Sequence, residues 1–197
     1  MSRIPAVAPA EAGLLVRIAY RIARRRFGGV PEPFGVTAHH RGLFLASAMH
    51  ELGVERVTRV MPKQVLELAV YRTAWTVGCS WCVDFGTMVQ RLDGLDVERL
   101  KHIADFETSD AYSDEERDAI RYADAMTSTP MTVTDDQVAA LVDRYGNDGV
   151  VELTYQISLE NQRARFNHAL GITDQGFGSG ETCRVPWDVN EPETSRA

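Results

Sequence analysis

Between Pro62 and Gly78 the chain carries Val65, Leu66, Leu68, Ala69, Val70, Tyr71, Ala74, Trp75 and Val77, an apolar run that leaves a helix little polar surface. A helix apolar nearly all round has to be covered on every side, so the rest of the chain must supply its packing partners. Pro62 suits the first helical turn, where its missing amide hydrogen costs nothing, and Gly78 breaks the run. Elsewhere the periodicity is again helical, and strand-like alternation is nearly absent.

Helices are expected at about Ala10 to Phe27, ended by Gly28-Gly29 and Pro31-Glu32-Pro33, and at Phe34 to Leu52, with Gly53 as the stop. Another runs from Cys79 to Leu92 before Gly94, and a short one from Asp96 to Phe106. Ser113-Asp114-Glu115-Glu116 and Thr134-Asp135-Asp136-Gln137 have the form of capping boxes, opening helices that reach Thr127 and Tyr145. A turn at Gly146 to Gly149 precedes the last helix, Val150 to Leu170, which Gly171 ends. The fold class that follows is all-α, with about seven or eight helices. One domain is expected over residues 1–172, followed by a tail, 173–197, rich in Gly, Pro and charge and extended or draped over the body.

Apolar residues make up 44% of the 197 and charged residues 25%, which supports one sizeable core and argues against disorder. The net charge of −7 disfavours nucleic acid as a partner. Arg17, Arg21, Arg24, Arg25 and Arg26 read as the solvated face and dipole-complementing last turn of the first helix. Leu14-Leu15-Val16 is interrupted by Arg17, and no apolar stretch approaches the ~20 residues of a membrane span. A cytoplasmic protein without a membrane partner is expected. Two of the three cysteines form Cys79-Ser80-Trp81-Cys82, which in a reducing compartment points to redox chemistry or metal.

Cysteines three apart share a helix face and lie close enough for a disulfide with modest adjustment. A helix starting near Cys79 would put its thiol among unpaired amides at the positive dipole end, favouring thiolate. Cys82 shares the apolar face of Phe85 and Val89 and is expected to be the more buried of the two. Zinc would need about four ligands, yet Cys183 is alone and His39, His40, His50, His102 and His168 form no ligand pair. No metal and no cofactor is expected, and Cys183 reads as a surface or tail thiol. Glu67 looks into a largely apolar helix face, where desolvation raises a carboxylic pKa and suits it to proton shuttling. A straight helix would hold it ~18 Å along the axis from Cys79. Glu67 therefore reaches the thiols only if the chain folds back at Gly78.

Glutamate, then C-x-x-C beginning twelve positions later, in an all-α chain resembles the carboxymuconolactone decarboxylase / alkylhydroperoxidase-D-like (AhpD-like) family, over a core of about residues 62–92. The run from Leu159 to Ile172, with Asn161 and His168, resembles the family's C-terminal helix. The resemblance implies an antiparallel helical bundle, assembled as a homo-oligomer (trimer or hexamer, or a dimer). It implies a dithiol/disulfide cycle with Cys82 as the peroxidatic thiol, Cys79 as the resolving one and Glu67 in proton relay. The family pattern places a relay histidine where this chain has Gly86. The missing side chain is expected to leave space above the thiols, with Asn161 and His168, seven apart on one helix face, lining it for a substrate. His102, His168 or water are the alternative proton carriers.

Three functions follow. The first is a thiol-dependent oxidoreductase that reduces a small-molecule peroxide or a disulfide and is reset by an external thiol reductant. The second is a lyase or isomerase acting on a small organic acid through Glu67. The third is a non-enzymatic helical oligomer.

Overall fold

The computed structural model describes residues 2–178 and residue 185, and every described element is helical. The order is α1 (Leu14–Phe27), α2 (Glu32–Thr37), α3 (Arg41–Val57), α4 (Lys63–Val77), α5 (Ser80–Leu92), a 3₁₀ helix (Glu98–Asp105), α6 (Asp114–Thr127) and α7 (Asp135–Ala169). The expected all-α class holds, and both capping boxes form: Ser113 with Glu116, and Thr134 with Gln137. The first helix starts later than the periodicity suggested, because Gly13 is its N-cap.

The segment expected as one helix from Phe34 to Leu52 is two. The ring of His40 accepts the Leu43 amide at 3.1 Å, so a side-chain cap divides α2 from α3 where no glycine or proline marks a break. Gly53 does not stop α3, which continues to Val57. The turn expected at Gly146 to Gly149 shrinks to one residue: Gly146, at φ 70°, kinks α7, and the helix resumes directly.

α4 is the packing centre. Val65, Leu66, Leu68, Ala69, Tyr71 and Ala74 are buried, and α5, α6 and α7 all lie against it. Gly78, at φ 81°, closes α4 in the left-handed conformation: its amide bonds Trp75 O and the Cys79 amide bonds Ala74 O, a Schellman closure. The chain then reverses within two residues. Gln90 Nε2 faces Glu67 O at 3.4 Å, while Thr87 Oγ1 faces the Tyr71 hydroxyl at 3.4 Å, so α4 and α5 form an antiparallel hairpin. The other two large helices run in the same sense as α4. Glu152 of α7 accepts the amides of Arg59, Val60 and Met61 ahead of α4, while His168 Nδ1 meets Gly78 O at 3.3 Å beyond its other end. Tyr145 bonds Glu115 and Asn161 bonds Thr127, aligning α6 with α7. The expected antiparallel arrangement thus describes α4–α5, with α6 and α7 parallel to α4.

Beyond α7 the chain returns to the hairpin. The amides of Gln175, Phe177 and Gly178 donate to the buried carboxylate of Asp84 at 2.9, 3.0 and 2.5 Å. Gln175 Oε1 also accepts from Trp81 Nε1 at 2.8 Å and from the Glu32 amide at 2.7 Å. Cys183 lies outside the described residues. No helix among the described residues is long and apolar enough to cross a membrane.

Candidate dithiol site

Cys79 is the N-cap of α5, in extended conformation, and its sulfur accepts the Cys82 amide at 3.1 Å. Cys82 follows in the first turn, with a Cα–Cα separation of 5.3 Å, and the two sulfurs are joined as a disulfide. Cys79 is 1% exposed and Cys82 7%, so both are buried and the expected order of burial is reversed. The reason is the cap. An N-cap side chain folds back over its own helix end, while Cys82 projects from the helix side. One polar side chain reaches both sulfurs: Asn167 Nδ2 lies 3.4 Å from Cys82 Sγ and 3.8 Å from Cys79 Sγ.

The fold-back that Glu67 required is present: α5 returns along α4 from Gly78. Glu67 stands level with Gln90, and Gln90 is eight residues, about 12 Å, along α5 from Cys82. Burial, reinforced by the charge of Asp93, raises the Glu67 pKa; Lys63 and Arg163 oppose the shift. Lys63 is itself paired with Asp93 at 2.8 Å.

A second carboxylate shares this environment. Glu160 of α7 is 6% exposed, and burial pushes its pKa up to about 7. The neighbouring charge of Arg163 opposes that shift, and those of Glu51 and Glu67 add to it. Arg163 meets Glu160 at 3.3 Å, but its Nε and Nη2 are both taken by Glu51. One guanidinium thus serves two carboxylates, with a third nearby.

Gly86 faces the ring of Tyr71. A side chain added there would meet Cδ2 of Tyr71 at 3.4 Å, since α4 lays that buried ring against the glycine. Asn161 is not at the thiols, because its amide bonds Thr127 Oγ1 at 3.0 Å and Ile157 O at 3.2 Å on the α6 side of α7. His168 sits at the rim of the site, with Nδ1 on the Gly78 carbonyl. His102 lies exposed on the 3₁₀ helix. Asn167, six positions beyond Asn161 and next to His168, is the asparagine that faces the sulfurs. Glu160 could have been found as a lone carboxylate among Ile157, Leu159 and Ala164. No group of three or more His, Cys, Asp or Glu among the described residues is placed to hold a metal ion.

Chemically, the arrangement offers two sulfurs within bonding distance, each with a neutral N–H donor, and two carboxylates of raised pKa on the same hairpin-and-helix assembly. Such sulfurs can exchange two electrons, and Glu160, with its pKa near 7, can hold a proton near neutral pH.

No family model matches the chain. It is 32% identical over 173 residues to YnjA of Escherichia coli, covering 88% of this chain and 92% of that protein. It is 33% identical over 87 residues to the alkyl hydroperoxide reductase Rv2159c of Mycobacterium tuberculosis, a match spanning 44% of this chain and only 25% of that protein. Among solved structures, the debrominase Bmp8 superposes with a TM-score of 0.78 at 16% identity, over 90% of this chain and 95% of that one. A peroxidase-related protein with the alkylhydroperoxidase AhpD core, from Ralstonia eutropha JMP134, gives 0.74 at 19% identity, over 94% and 98%. At these identities the structures speak for the fold alone. With the glutamate and C-x-x-C spacing, the hairpin that carries it and the near full-length relative, the chain belongs to the AhpD-like alkylhydroperoxidase / carboxymuconolactone decarboxylase family.

Proposed function

We propose that this protein is a thiol-dependent oxidoreductase that reduces a small-molecule peroxide, or a disulfide, by cycling Cys79 and Cys82 between dithiol and disulfide. The observation that carries this reading is the placement of both sulfurs at the N-terminal end of α5, within bonding distance of each other and each facing an N–H donor.

In the cycle, the Cys82 thiolate attacks one peroxide oxygen and the O–O bond breaks. The departing alkoxide takes a proton, and Cys82 becomes a sulfenic acid. The Cys79 sulfur then displaces hydroxide from that sulfenic acid, forming the disulfide and releasing water once protonated. Two thiols and one hydroperoxide thus yield one disulfide, one alcohol and one water, the sulfurs losing the two electrons that the O–O bond gains. An external thiol reductant restores the dithiol, which fits a reducing cytoplasm. Cys82 takes the attacking role because it is the more exposed residue of the pair. Glu67, with its raised pKa, serves as the proton store, its backbone lying beside Gln90 about two helical turns along α5 from Cys82, and intermediaries carry the protons to the sulfurs. The working form is a homo-oligomer.

In the test, hydroperoxide consumption coupled to a dithiol reductant is followed for the wild type, Cys82→Ser and Glu67→Gln. Cys82→Ser abolishes turnover, and Glu67→Gln slows it about 100-fold, the usual scale of general acid–base assistance. A wild type that consumes no peroxide and keeps two free thiols under mild peroxide sinks the reading. The buried carboxylates favour one other reading, a lyase or isomerase acting on a small organic acid through Glu67. There Glu67→Gln abolishes turnover and Cys82→Ser leaves it largely intact.

A further inference from the structure

Asn167 sits in the last turn of α7 and is 2% exposed. Its position is fixed by the helix end. The Ile172 amide bonds Asn167 O at 2.9 Å and the Gly171 amide bonds His168 O at 3.0 Å, with Gly171 at φ 65° closing the turn. On the next residue, His168 Nδ1 meets the carbonyl of Gly78, immediately before Cys79. The side-chain amide is thereby aimed at the sulfur pair from across the hairpin, 85 residues along the chain from Cys82 and closer to Cys82 Sγ (3.4 Å) than to Cys79 Sγ (3.8 Å).

A buried amide needs acceptors for its hydrogens. A thiol or disulfide sulfur accepts weakly, whereas a thiolate is a charged acceptor, and hydrogen bonds to charged groups are roughly twice as strong. An N–H held at this distance therefore gains little from the disulfide and much from the reduced, ionised sulfur. Cys79 receives the Cys82 amide at 3.1 Å through its cap and the Asn167 amide only at 3.8 Å, whereas Cys82 faces the Asn167 amide at 3.4 Å.

The geometry points to Asn167 as a catalytic residue that selects Cys82 as the sulfur bearing the thiolate charge, by donating its amide hydrogen to Cys82 Sγ in the reduced protein. This rests on the thiol–disulfide reading above and adds a specific residue to it. Among the described residues both donors on the pair, the Cys82 amide and the Asn167 side chain, are uncharged, so oriented amides supply the thiolate preference proposed here. It also assigns a direction to the redox balance. A donor that favours the reduced, ionised form over the disulfide makes the disulfide the stronger oxidant.

The test uses the full chain, reduced and then freed of reductant. Alkylation by iodoacetamide is followed from pH 5 to 10, with Cys79 and Cys82 separated by peptide mass mapping. In the wild type Cys82 is alkylated first. Asn167→Ala moves the Cys82 profile up by about one pH unit, a tenfold slower reaction at pH 7, and leaves the Cys79 profile nearly in place. Asn167→Asp keeps the shape but turns a carboxylate towards the sulfur, so it shifts the Cys82 profile at least as far as alanine does. A residue that only fills space would show the isosteric aspartate closer to wild type than alanine. Unchanged Cys82 profiles in both variants, or a shift confined to Cys79, overturn the proposal. Wild-type protein in which Cys79 is alkylated first overturns it without any variant, which covers variants that fail to fold. Alkylation needs no peroxide, so a wild type that shows the expected profiles but no peroxide turnover would overturn the peroxidase reading alone.

Discussion

Glu160 is the residue whose ionisation has the clearest consequence for the whole fold. Its pKa, raised by burial to about 7 against an ordinary value of 4.5, means that the folded protein binds more protons than the unfolded chain between those two values. Stability attributable to this group therefore falls as pH rises from about 4.5 to about 7 and is level beyond, a loss of about 3 kcal/mol at most. Glu160→Gln should remove that slope and leave the variant more stable than wild type at pH 8, measured as guanidinium midpoints at pH 5 and pH 8. An identical pH slope in both proteins would refute the assignment. The sequence carried little of this. Glu67 stood out by its spacing to the cysteines, but Asn167 acquires its meaning from sulfurs 85 and 88 residues away in the chain, and Glu160 from Glu51 and Glu67 as well as from nearby Arg163. Gly86 is similar. The ring beside it belongs to Tyr71 on another helix, a neighbour that no local pattern names.

Elements were more legible, because their signals are local. The two capping boxes, the left-handed Gly78 and the apolar run of α4 each follow from residues a few positions apart, and each is present. The division between α2 and α3 was missed because a histidine ring acts as the cap, in a role usually filled by Ser, Thr, Asp or Asn. At this scale the contact that most affects α5 is Asp84, whose carboxylate gathers three amides of residues 175–178. Asp84→Ala leaves those amides without their acceptor and should cost about 2–4 kcal/mol. Limited proteolysis should then cut within 173–178 well before the body, while wild type resists there. Equal resistance in the two proteins would show that the carboxylate does not hold the segment.

For the whole molecule, α3 is the anomaly: of its residues only Phe44 is buried, while Leu43, Met49, Leu52 and Val57 are exposed. Val60, Val151 and Tyr155 add further exposed apolar surface, and Tyr155 is linked to α3 through His50 at 2.7 Å. Apolar surface of this kind marks an interaction face. If the homo-oligomer proposed above uses it, the double substitution Met49→Lys and Leu52→Lys reduces the mass seen by sedimentation equilibrium while the helical circular dichroism stays unchanged. An unaltered mass would place the interface elsewhere.

The parallel run of α7 along α4 also bears on the order in which the site comes into being. Cys79 and Cys82 leave the ribosome long before Asn167, Gln175 and the amides that bind Asp84. At typical synthesis rates of 5–20 residues per second, the 85 positions between Cys82 and Asn167 take roughly 4–17 s. Throughout that interval the nascent chain holds a C-x-x-C pair with its local helix cap but without its distant amide. The chemistry of these thiols is therefore a property of the finished chain, acquired only when its last helix docks.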